Sequence, residues 1–405
     1  MDAVSNILQV FYAPQKVFKA IVKNPSYLAP LVVLVLFVIV QFGSSYVVAT
    51  RSFIEQTMPT MDQTDVWTEN ATYWIAAPGV VISENYNDFI NASAYYNNTS
   101  IEFTISNSSS LQMALTTLDG SVDCGANGYQ NLSFRVKMVE PNAMPDNVTL
   151  SLYSLNDSNY LTYDLTSEFS NSSNINVWNN VTVPVGSGSW SSSGTPNWQN
   201  ITSLSLAFTW ANESSIDLRV DGLFFRGLYE DPIVVYGSFY LISSALNAVT
   251  HFLFQWLVLT AIMYLLIKGL KGNVTWKPLM IAVGTSLIIL VVQSLILAVA
   301  YATLPNIYYP LEVLAGVPSE FNTAYQTILN VVATVTLVAG VLQIVILGWN
   351  STLGTFITRE VTSVTPETLD ESAPIASQPM SWTKCLLVSV ASVVITLIVL
   401  YFIGV

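Results

Sequence analysis

The sequence has little of the chemistry on which most active sites and metal centres depend. Its 405 residues include two cysteines, Cys124 and Cys385, and one histidine, His251. So small a set excludes a Cys/His metal cluster, a Cys-His catalytic pair and a disulfide framework. Charged residues make up 10% of the chain, against about 25% in an ordinary globular protein. With a net charge of −13 there is no basic surface, which excludes nucleic-acid partners.

What the sequence does contain is long apolar runs, and the mean hydropathy is +0.51. Five runs lack Asp, Glu, Lys and Arg and are long enough to cross a hydrocarbon core of about 30 Å: Tyr27–Val48, Phe239–Ile267, Leu279–Ala302, Tyr325–Leu347 and Cys385–Ile403. We therefore expect an integral membrane protein with a five-span α-helical bundle. The first span is expected to be a retained anchor rather than a cleaved signal.

The Lys and Arg residues predict the orientation, because cytoplasmic flanks carry their excess. With the N-terminus inside, eight of the thirteen fall on inner segments. Residues 1–48 then form a cytoplasmic helix and the first span, 49–235 an extracytoplasmic domain, and 236–405 four spans whose C-terminus is extracytoplasmic. The plasma membrane is the expected location. The acidic inner loop at about 360–380 has a composition typical of disorder.

A basic amphipathic helix is predicted before the first span, starting at Pro14. Its polar arc carries Lys16, Lys19 and Lys23, and its apolar arc carries Val17, Phe18, Ile21 and Val22. Such a helix lies on the cytoplasmic surface of the lipid bilayer, or packs against the bundle as part of the topology signal. Recruitment of a cytoplasmic partner is the alternative.

The outer region predicts an all-β domain, because its apolar residues alternate with polar ones. Six half-buried strands are expected, at Ile101–Ile105, Leu132–Met138, Val148–Leu152, Val181–Val185, Leu204–Trp210 and Ile216–Val220. Turn residues separate them, as in an antiparallel sandwich. A region of this length can form a single β-sandwich domain.

The asparagines of this region are placed as acceptors of N-linked glycans. Twelve N-x-S/T sequons occur where chance gives about five, at Asn70, Asn91, Asn97, Asn98, Asn107, Asn131, Asn147, Asn156, Asn171, Asn180, Asn200 and Asn212. The alternative is a polar surface rich in Ser and Asn. Two further sequons, Asn273 and Asn350, fall on the predicted inner side and are expected to stay unmodified.

Polar residues within the spans are costly in hydrocarbon and often functional. His251 and Gln255 share a face of the second span, and Gln41, Gln293, Asn330 and Gln343 lie in others. We expect hydrogen bonds between helices rather than transport, since ion-coupled transport ordinarily uses buried carboxylates or bases.

One resemblance covers roughly residues 1–48 and 236–405. The opening from Phe11 to Leu34, the inner loop LIKGLKGNVTWKPLM, Trp349 with Leu353, and the ending SWTKCLLVSV resemble the Yip-one domain family of Ypt/Rab-interacting five-span membrane proteins. Cys385 stands where that family usually has alanine. The resemblance implies an organiser or adaptor without catalytic residues, linked in eukaryotes to small GTPases. The large insert departs from the family pattern.

A second resemblance covers about residues 67–227. The stretches YQNLSFRVKM, VWNNVTVPVG, SGTPNWQNITSLSLAF and IDLRVDGLFF look similar to the galactose-binding-like jelly rolls found as carbohydrate-binding modules. This implies a jelly-roll ectodomain. Sugar binding is implied less strongly, because many such domains mediate protein contacts only.

Sugars stack on flat aromatic faces, so tryptophans are the candidate ligand residues. Trp190 lies in a Gly/Ser-rich loop, whereas Trp178 and Trp198 occupy positions that the resembled fold uses for its core. Edge-of-core packing is the alternative for Trp190, and packing in the core is the alternative for Trp178 and Trp198. The resemblance also suggests Asp221 as part of a structural calcium site, although calcium requires six to eight oxygens. No other cofactor is expected.

These observations predict a non-enzymatic membrane protein that organises the membrane or cell envelope. Its expected partners are envelope glycans or glycoproteins outside and other proteins inside. One alternative is an accessory or docking subunit of a larger membrane complex or permease. Another is an ectoenzyme such as a glycosidase, which needs two carboxylates at a fixed separation. Abundant sequons, scarce lysine and an acidic outer face would suit an archaeal plasma membrane.

Overall fold

The computed structural model describes residues 3–118, 120–170, 175–186, 188–318, 320–363 and 379–404. The chain divides into two compact units. The helical unit comprises Met1–Ser52, Asp231–Ile307 and Asn330–Val405, and the β unit comprises Phe53–Glu230 and Tyr308–Leu329.

Ten α-helices occur in the described residues: α1 (Ala3–Gln9), α2 (Pro14–Lys23), α3 (Leu28–Ala49), α4 (Pro232–Tyr236), α5 (Phe239–Gly269), α6 (Trp276–Ser286), α7 (Ile288–Ala302), α8 (Leu311–Ala315), α9 (Phe321–Ser363) and α10 (Trp382–Ile403). Five stretches are long and apolar enough to cross a membrane, namely α3, α5, α6 with α7, α9 and α10. Each coincides with one of the five runs expected from the sequence.

The third predicted span is divided into α6 and α7 at Leu287. Just before this point, the hydroxyl of Thr285 donates to the carbonyl oxygen of Ile281 and that of Ser286 to the carbonyl oxygen of Val283. Such bonds to the preceding turn bend helices. The fourth span belongs to a helix far longer than predicted, since α9 continues to Ser363. Residues 360–363 of the loop expected to be disordered are therefore helical, and 364–378 lie outside the described residues.

The basic helix predicted from Pro14 is α2, which ends at Lys23. Its three lysines are exposed, while Val17 and Phe18 are fully buried in the core of the helical unit. The apolar arc therefore contacts protein within this unit. Contact of the lysines with a membrane surface stays a prediction.

Eleven β-strands occur in the described residues: β1 (Ser52–Met58), β2 (Trp74–Ala76), β3 (Val81–Asn85), β4 (Ser100–Leu115), β5 (Asn131–Glu140), β6 (Asn147–Ser154), β7 (Asn156–Asp164), β8 (Asn179–Pro184), β9 (Ser191–Ser193), β10 (Ile201–Glu230) and β11 (Ile307–Tyr309). Two of the six strands predicted from alternation, Leu204–Trp210 and Ile216–Val220, are one strand, β10. The pairing of β10 with β4 is irregular between Thr209 and Ile216, and on either side of this point the two strands pair with different neighbours, so each contributes to two layers of antiparallel sheet.

The first layer has the order β9-β7-β6-β10-β4-β2 and uses the first half of β10. The second layer has the order β8-β5-β10-β4-β3 and uses the second half of β10. Alternate side chains of both layers meet in one core, which includes Phe103, Phe134, Leu150 and Phe208. The antiparallel β-sandwich expected from the sequence is therefore present.

Residues 308–329 pack with the β unit, although the sequence assigned all of 236–405 to spans and their loops. Arg226 of β10 pairs with Glu55 of β1 at 2.7 Å and with Glu312 of α8 at 2.6 Å. Arg135 of β5 pairs with Glu320 at 2.8 Å. Arg135 and Arg226 are buried, so these ion pairs supply the countercharges that two buried guanidinium groups require.

Candidate functional site

The three candidate tryptophans do not form one site. The ring centroids of Trp190 and Trp198 lie 5.3 Å apart, and Tyr163 lies 5.2 Å from Trp190. These rings are half-buried and pack against the sandwich core. The indole N–H of Trp190 donates to the carbonyl oxygen of Pro184 at 2.8 Å. Trp190 therefore has the edge-of-core packing that was the alternative to ligand binding, and Trp198 packs against the core but is half-buried rather than within it.

Trp178 lies elsewhere, just before β8, and is half-buried. Its indole N–H donates to the Asp88 carboxylate at 3.1 Å. The same carboxylate accepts from Lys137 at 2.8 Å and from Arg219. Trp178 is thus the candidate tryptophan that adjoins a group of charged side chains.

We call this group the charged face. It consists of Glu102 on β4, Lys137 on β5, Asp217 and Arg219 on β10, and Asp88 from the loop after β3. Arg219 is the register partner of Glu102 on one side and of Lys137 on the other. Successive residues of a strand point to opposite faces of the sheet, and Leu218 and Val220 fill the core. The charged residues between them therefore lie on the outward face of the second layer.

Ion pairs hold the charged face together. Arg219 contacts the carboxylates of Glu102 at 2.7 Å and of Asp217 at 3.6 Å. Partial burial raises the pKa of Asp88, but hydrogen bonds from Lys137 and Arg219 outweigh it, and the net pKa lies below its usual value. Burial and the charge of Glu102 raise the pKa of Asp217. These side chains remain 17–23% exposed, so a ligand can reach hydrogen-bonding groups that are already fixed in place.

A second group of acidic residues includes Asp221, the suggested calcium ligand. Asp65 and Glu69 lie on either side of a short 3-10 helix, Val66–Thr68, and bring their carboxylates to Asp221 of β10. The backbone N–H groups of Ile90 and Gly222 donate to Asp221 at 2.6 and 2.7 Å, and that of Asn97 donates to Asp65 at 3.0 Å. The other oxygen of Asp65 is buried and receives no hydrogen bond.

The protonation of this acidic group reflects its burial. Burial, followed by the charges of Asp221 and Glu69, raises the pKa of Asp65 well above its usual value. Burial raises the pKa of Asp221 to about 7, although hydrogen bonds from backbone N–H groups oppose the shift. Burial likewise raises the pKa of Glu69. Three acids that resist ionisation in one place are a favourable setting for a cation, which stabilises the charged forms.

The geometry of the acidic group fits Ca²⁺. One oxygen from each of the three carboxylates lies within 4.8 Å of the others, and two oxygens bound to one Ca²⁺ at about 2.5 Å can be up to about 5 Å apart. Carboxylate oxygens suit calcium rather than zinc or copper. Further oxygens of the required six to eight would come from backbone carbonyl groups and water. The sequence indicated Asp221 alone, because no local pattern links it to Asp65 and Glu69 in a distant segment.

The sequon asparagines are accessible wherever the structure describes them. Eight of them are exposed, and Asn70, Asn131 and Asn200 are half-buried. Asn171 lies outside the described residues. Accessibility is a requirement for glycosylation, and glycosylation itself stays a prediction. In the helical unit, Asn350 is buried whereas Asn273 is exposed.

Comparison with known proteins gives similarity in structure only. No family model and no curated protein matches the chain, so the resemblance to the Yip-one domain family stays a prediction. Among solved structures, a family 11 carbohydrate-binding module from Clostridium thermocellum, in complex with a β-1,3-1,4-mixed-linked tetrasaccharide, is 15% identical. The match covers 44% of this chain and 97% of that chain, with a TM-score of 0.28.

A family 30 carbohydrate-binding module of a cellulosomal cellulase from Clostridium thermocellum is 10% identical, with 38% of this chain and 88% of that chain covered and a TM-score of 0.27. An exo-β-agarase is 11% identical, with 38% of this chain but 23% of that chain covered and a TM-score of 0.28. The sandwich thus has carbohydrate-binding modules among its structural neighbours.

Proposed function

We propose that this chain is a non-enzymatic membrane protein whose extracytoplasmic β unit binds envelope glycans through the charged face. The observation that carries this proposal is the row of Glu102, Arg219 and Lys137 across three strands, with Asp88 and Trp178 beside it. Sugar hydroxyls both donate and accept hydrogen bonds. Carboxylate, guanidinium and ammonium groups make stronger hydrogen bonds than neutral groups do, and the ring of Trp178 offers an apolar surface next to them.

The membrane part of the proposal is supported by the five apolar stretches of the helical unit. The excess of Lys and Arg on alternate connecting segments supports an N-terminus inside and the β unit outside. In this arrangement the accessible sequons of the β unit are exposed to the glycosylation machinery. The protein would then carry glycans of its own and bind those of its surroundings.

The acidic group supports the binding role by fixing the fold. Asp65, Glu69 and Asp221 would hold a Ca²⁺ ion that joins the loop after β1 to β10. The backbone contacts of Asp221 and Asp65 extend to Ile90 and Asn97 in the loop that also supplies Asp88. We therefore assign the ion a structural role, holding Asp88 at the charged face.

Glycan binding is tested with the full chain reconstituted in phosphatidylcholine nanodiscs, on a glycan array and against envelope extract. Lys137→Ala removes one cationic donor but leaves Asp88 paired with Arg219. Loss of a charged hydrogen bond costs about 1.5–3 kcal/mol, so we expect binding to weaken roughly 10-fold to 100-fold. Trp178→Ala is expected to weaken it as well.

Trp190→Ala is the matched control, because Trp190 lies at the core edge away from the charged face. Unchanged binding in Trp190→Ala together with loss in Lys137→Ala supports the proposal. Loss in Trp190→Ala alone would move the site to the Trp190–Trp198 cluster. Absence of saturable binding, or release of free sugar from a bound glycan, would contradict the proposed function.

A further inference from the structure

A partly open cavity of about 390 Å³ lies between helices of the helical unit. Part of its wall is apolar and includes Phe37, Leu259 and Ile346. Six amide or imidazole side chains from α3, α5, α7 and α9 share the wall: Gln41, His251, Gln255, Gln293, Gln343 and Asn350. Small-molecule sites have volumes of roughly 300–1,000 Å³ and combine apolar walls with a few polar groups. The cavity has both properties.

Gln41, His251, Gln255, Gln293 and Gln343 lie within the predicted membrane spans, and Asn350 lies three residues beyond the end of the fourth. The inference rests on the membrane part of the proposed function. Gln255 and Asn350 are each 9% exposed. A buried amide away from water is costly unless its donors and acceptors are paired. Gln293 of α7 donates to Gln343 of α9 at 2.9 Å, which is the interhelical bonding expected from the sequence.

That one bond does not account for the cavity. A primary amide carries two N–H donors and a carbonyl oxygen with two lone pairs, so the bond uses a fraction of what Gln293 and Gln343 offer. The bond between Gln293 and Gln343 accounts for two of the six polar side chains, whereas all six line the same space. Six polar side chains from four helices around one cavity indicate a ligand site.

The charge of the wall limits the class of ligand. The lining residues, all of them in the described part of the chain, include no Asp, Glu, Lys or Arg. An ion would therefore lack a fixed countercharge at a depth where an unpaired charge is expensive. Amide groups donate and accept equally well, which suits hydroxyl or amide groups on an uncharged molecule. The apolar wall suits a hydrocarbon portion of the same molecule.

We propose that the cavity binds an uncharged molecule bearing several hydroxyl or amide groups. Such a ligand has two sources, the headgroup of a neutral glycosyl lipid from the membrane or a small soluble sugar. The two are distinguished with glucosyl diacylglycerol and methyl β-glucoside as probes. Phosphatidylglycerol serves as the anionic comparator.

The experiment uses the full chain in phosphatidylcholine nanodiscs, without glycosidic detergent. Native mass spectrometry counts retained lipid, and thermal unfolding follows titration with either probe. We expect one glucosyl diacylglycerol per chain and no retention of phosphatidylglycerol at the same excess. A thermal shift with methyl β-glucoside but not with the lipid would support the soluble source instead.

The test variant is the double substitution Gln293→Leu/Gln343→Leu, which removes both amides and leaves neither partner unpaired. We expect the apparent affinity to fall about tenfold or more, as for the loss of two hydrogen bonds. Ile346→Phe places a larger side chain in the cavity and replaces no polar residue, so it should also weaken binding. Asn330→Leu is the matched control, because Asn330 is an exposed amide of α9 that does not line the cavity.

Equal affinity in the double variant, Ile346→Phe and Asn330→Leu would overturn the inference. So would preferential retention of phosphatidylglycerol, or an inserted chain that binds neither probe. Failure of the chain to insert into nanodiscs contradicts the proposed membrane function as well. Loss of glycan binding at the charged face leaves the cavity result unaffected, so the two proposals fail separately.

Discussion

Removing one partner of the buried ion pair between Glu55 and Arg226 should strongly destabilise the β unit, because a buried charge is left short of a countercharge. Glu55 is 2% exposed. Its carboxylate accepts from the Arg226 guanidinium at 2.7 and 2.9 Å, and from the backbone N–H groups of Gly227 at 2.8 Å and Leu311 at 2.6 Å. Glu55→Gln replaces this acceptor with an amide whose NH₂ group must face N–H donors. The change removes the charge while keeping the shape.

Breaking a buried ion pair by removing one partner costs about 3–5 kcal/mol. Glu312 still pairs with Arg226 in the variant, so we expect the lower end, about 3 kcal/mol. Burial lowers the pKa of Arg226, but the hydrogen bonds that its guanidinium donates to Glu312 and Glu55 outweigh burial and raise the pKa above its usual value, so the guanidinium stays charged. For a unit of about 200 residues, each kcal/mol corresponds to roughly 2–4 °C in Tm. The expected decrease is roughly 6–12 °C.

Thermal unfolding of the full chain in nanodiscs, followed by tryptophan fluorescence, measures this decrease. Six of the ten tryptophans belong to the β unit, so the signal reports mainly on it. Glu213→Gln is the matched control, because Glu213 is exposed and surface substitutions usually change stability by less than about 0.5 kcal/mol. A Tm for Glu55→Gln equal to that of Glu213→Gln would refute the reasoning.

Three further predictions concern the ion, the glycans and the thiol of the β unit. After treatment with EDTA, adding Ca²⁺ at about 100 times its Kd should stabilise the β unit by about 2.7 kcal/mol, measured as a rise in Tm. Asp221→Asn should abolish this rise, and a rise retained in that variant would exclude the acidic group as the site. Peptide mass spectrometry of protein from its native host should find N-glycans on β-unit sequons but none on Asn273 or Asn350, and a glycan on either of these would reverse the proposed topology. Cys124 is fully buried and burial raises its pKa, so maleimide should label it only after unfolding; rapid labelling of the native protein would show that this part of the core opens readily.

Alternation and span length allowed much of the fold to be predicted. Val148, Leu150 and Leu152 alternate along β6 and are buried as expected. By contrast, β7 was missed, because the sequence NDSNYLTYD has too few apolar residues to show a period of two. The break at Leu287 was also missed, because the run Leu279–Ala302 has no proline or charged residue to mark an interruption.

The candidate sites were also predicted incompletely, because they depend on contacts between segments that are distant in sequence. Asp221 was suggested by resemblance, but its association with Asp65 and Glu69 joins residues about 150 positions apart. Only β10 and the loop after β1 bring them together, and a pattern confined to short windows does not report such contacts. Trp190 was favoured because its flanking glycines and serines cannot bury it, yet Tyr163 and Trp198 do so from other segments. The charged face was missed for a similar reason, since its residues come from three strands and a loop.

The closure of the β unit by residues 308–329 sets an order for biosynthesis. Glu312 follows Arg226 by 86 positions, and Glu320 follows Arg135 by 185. Chain synthesis proceeds at about 5–20 residues per second, so Glu312 is synthesised roughly 4–17 s after Arg226. The apolar helices between them are made during this interval. During that interval the nascent domain is an unfinished intermediate with a buried cation short of one countercharge. In the membrane arrangement that we propose, its maturation is coupled to insertion of the helices that follow, so a defect in insertion should also produce a β unit prone to chaperone capture and proteolysis.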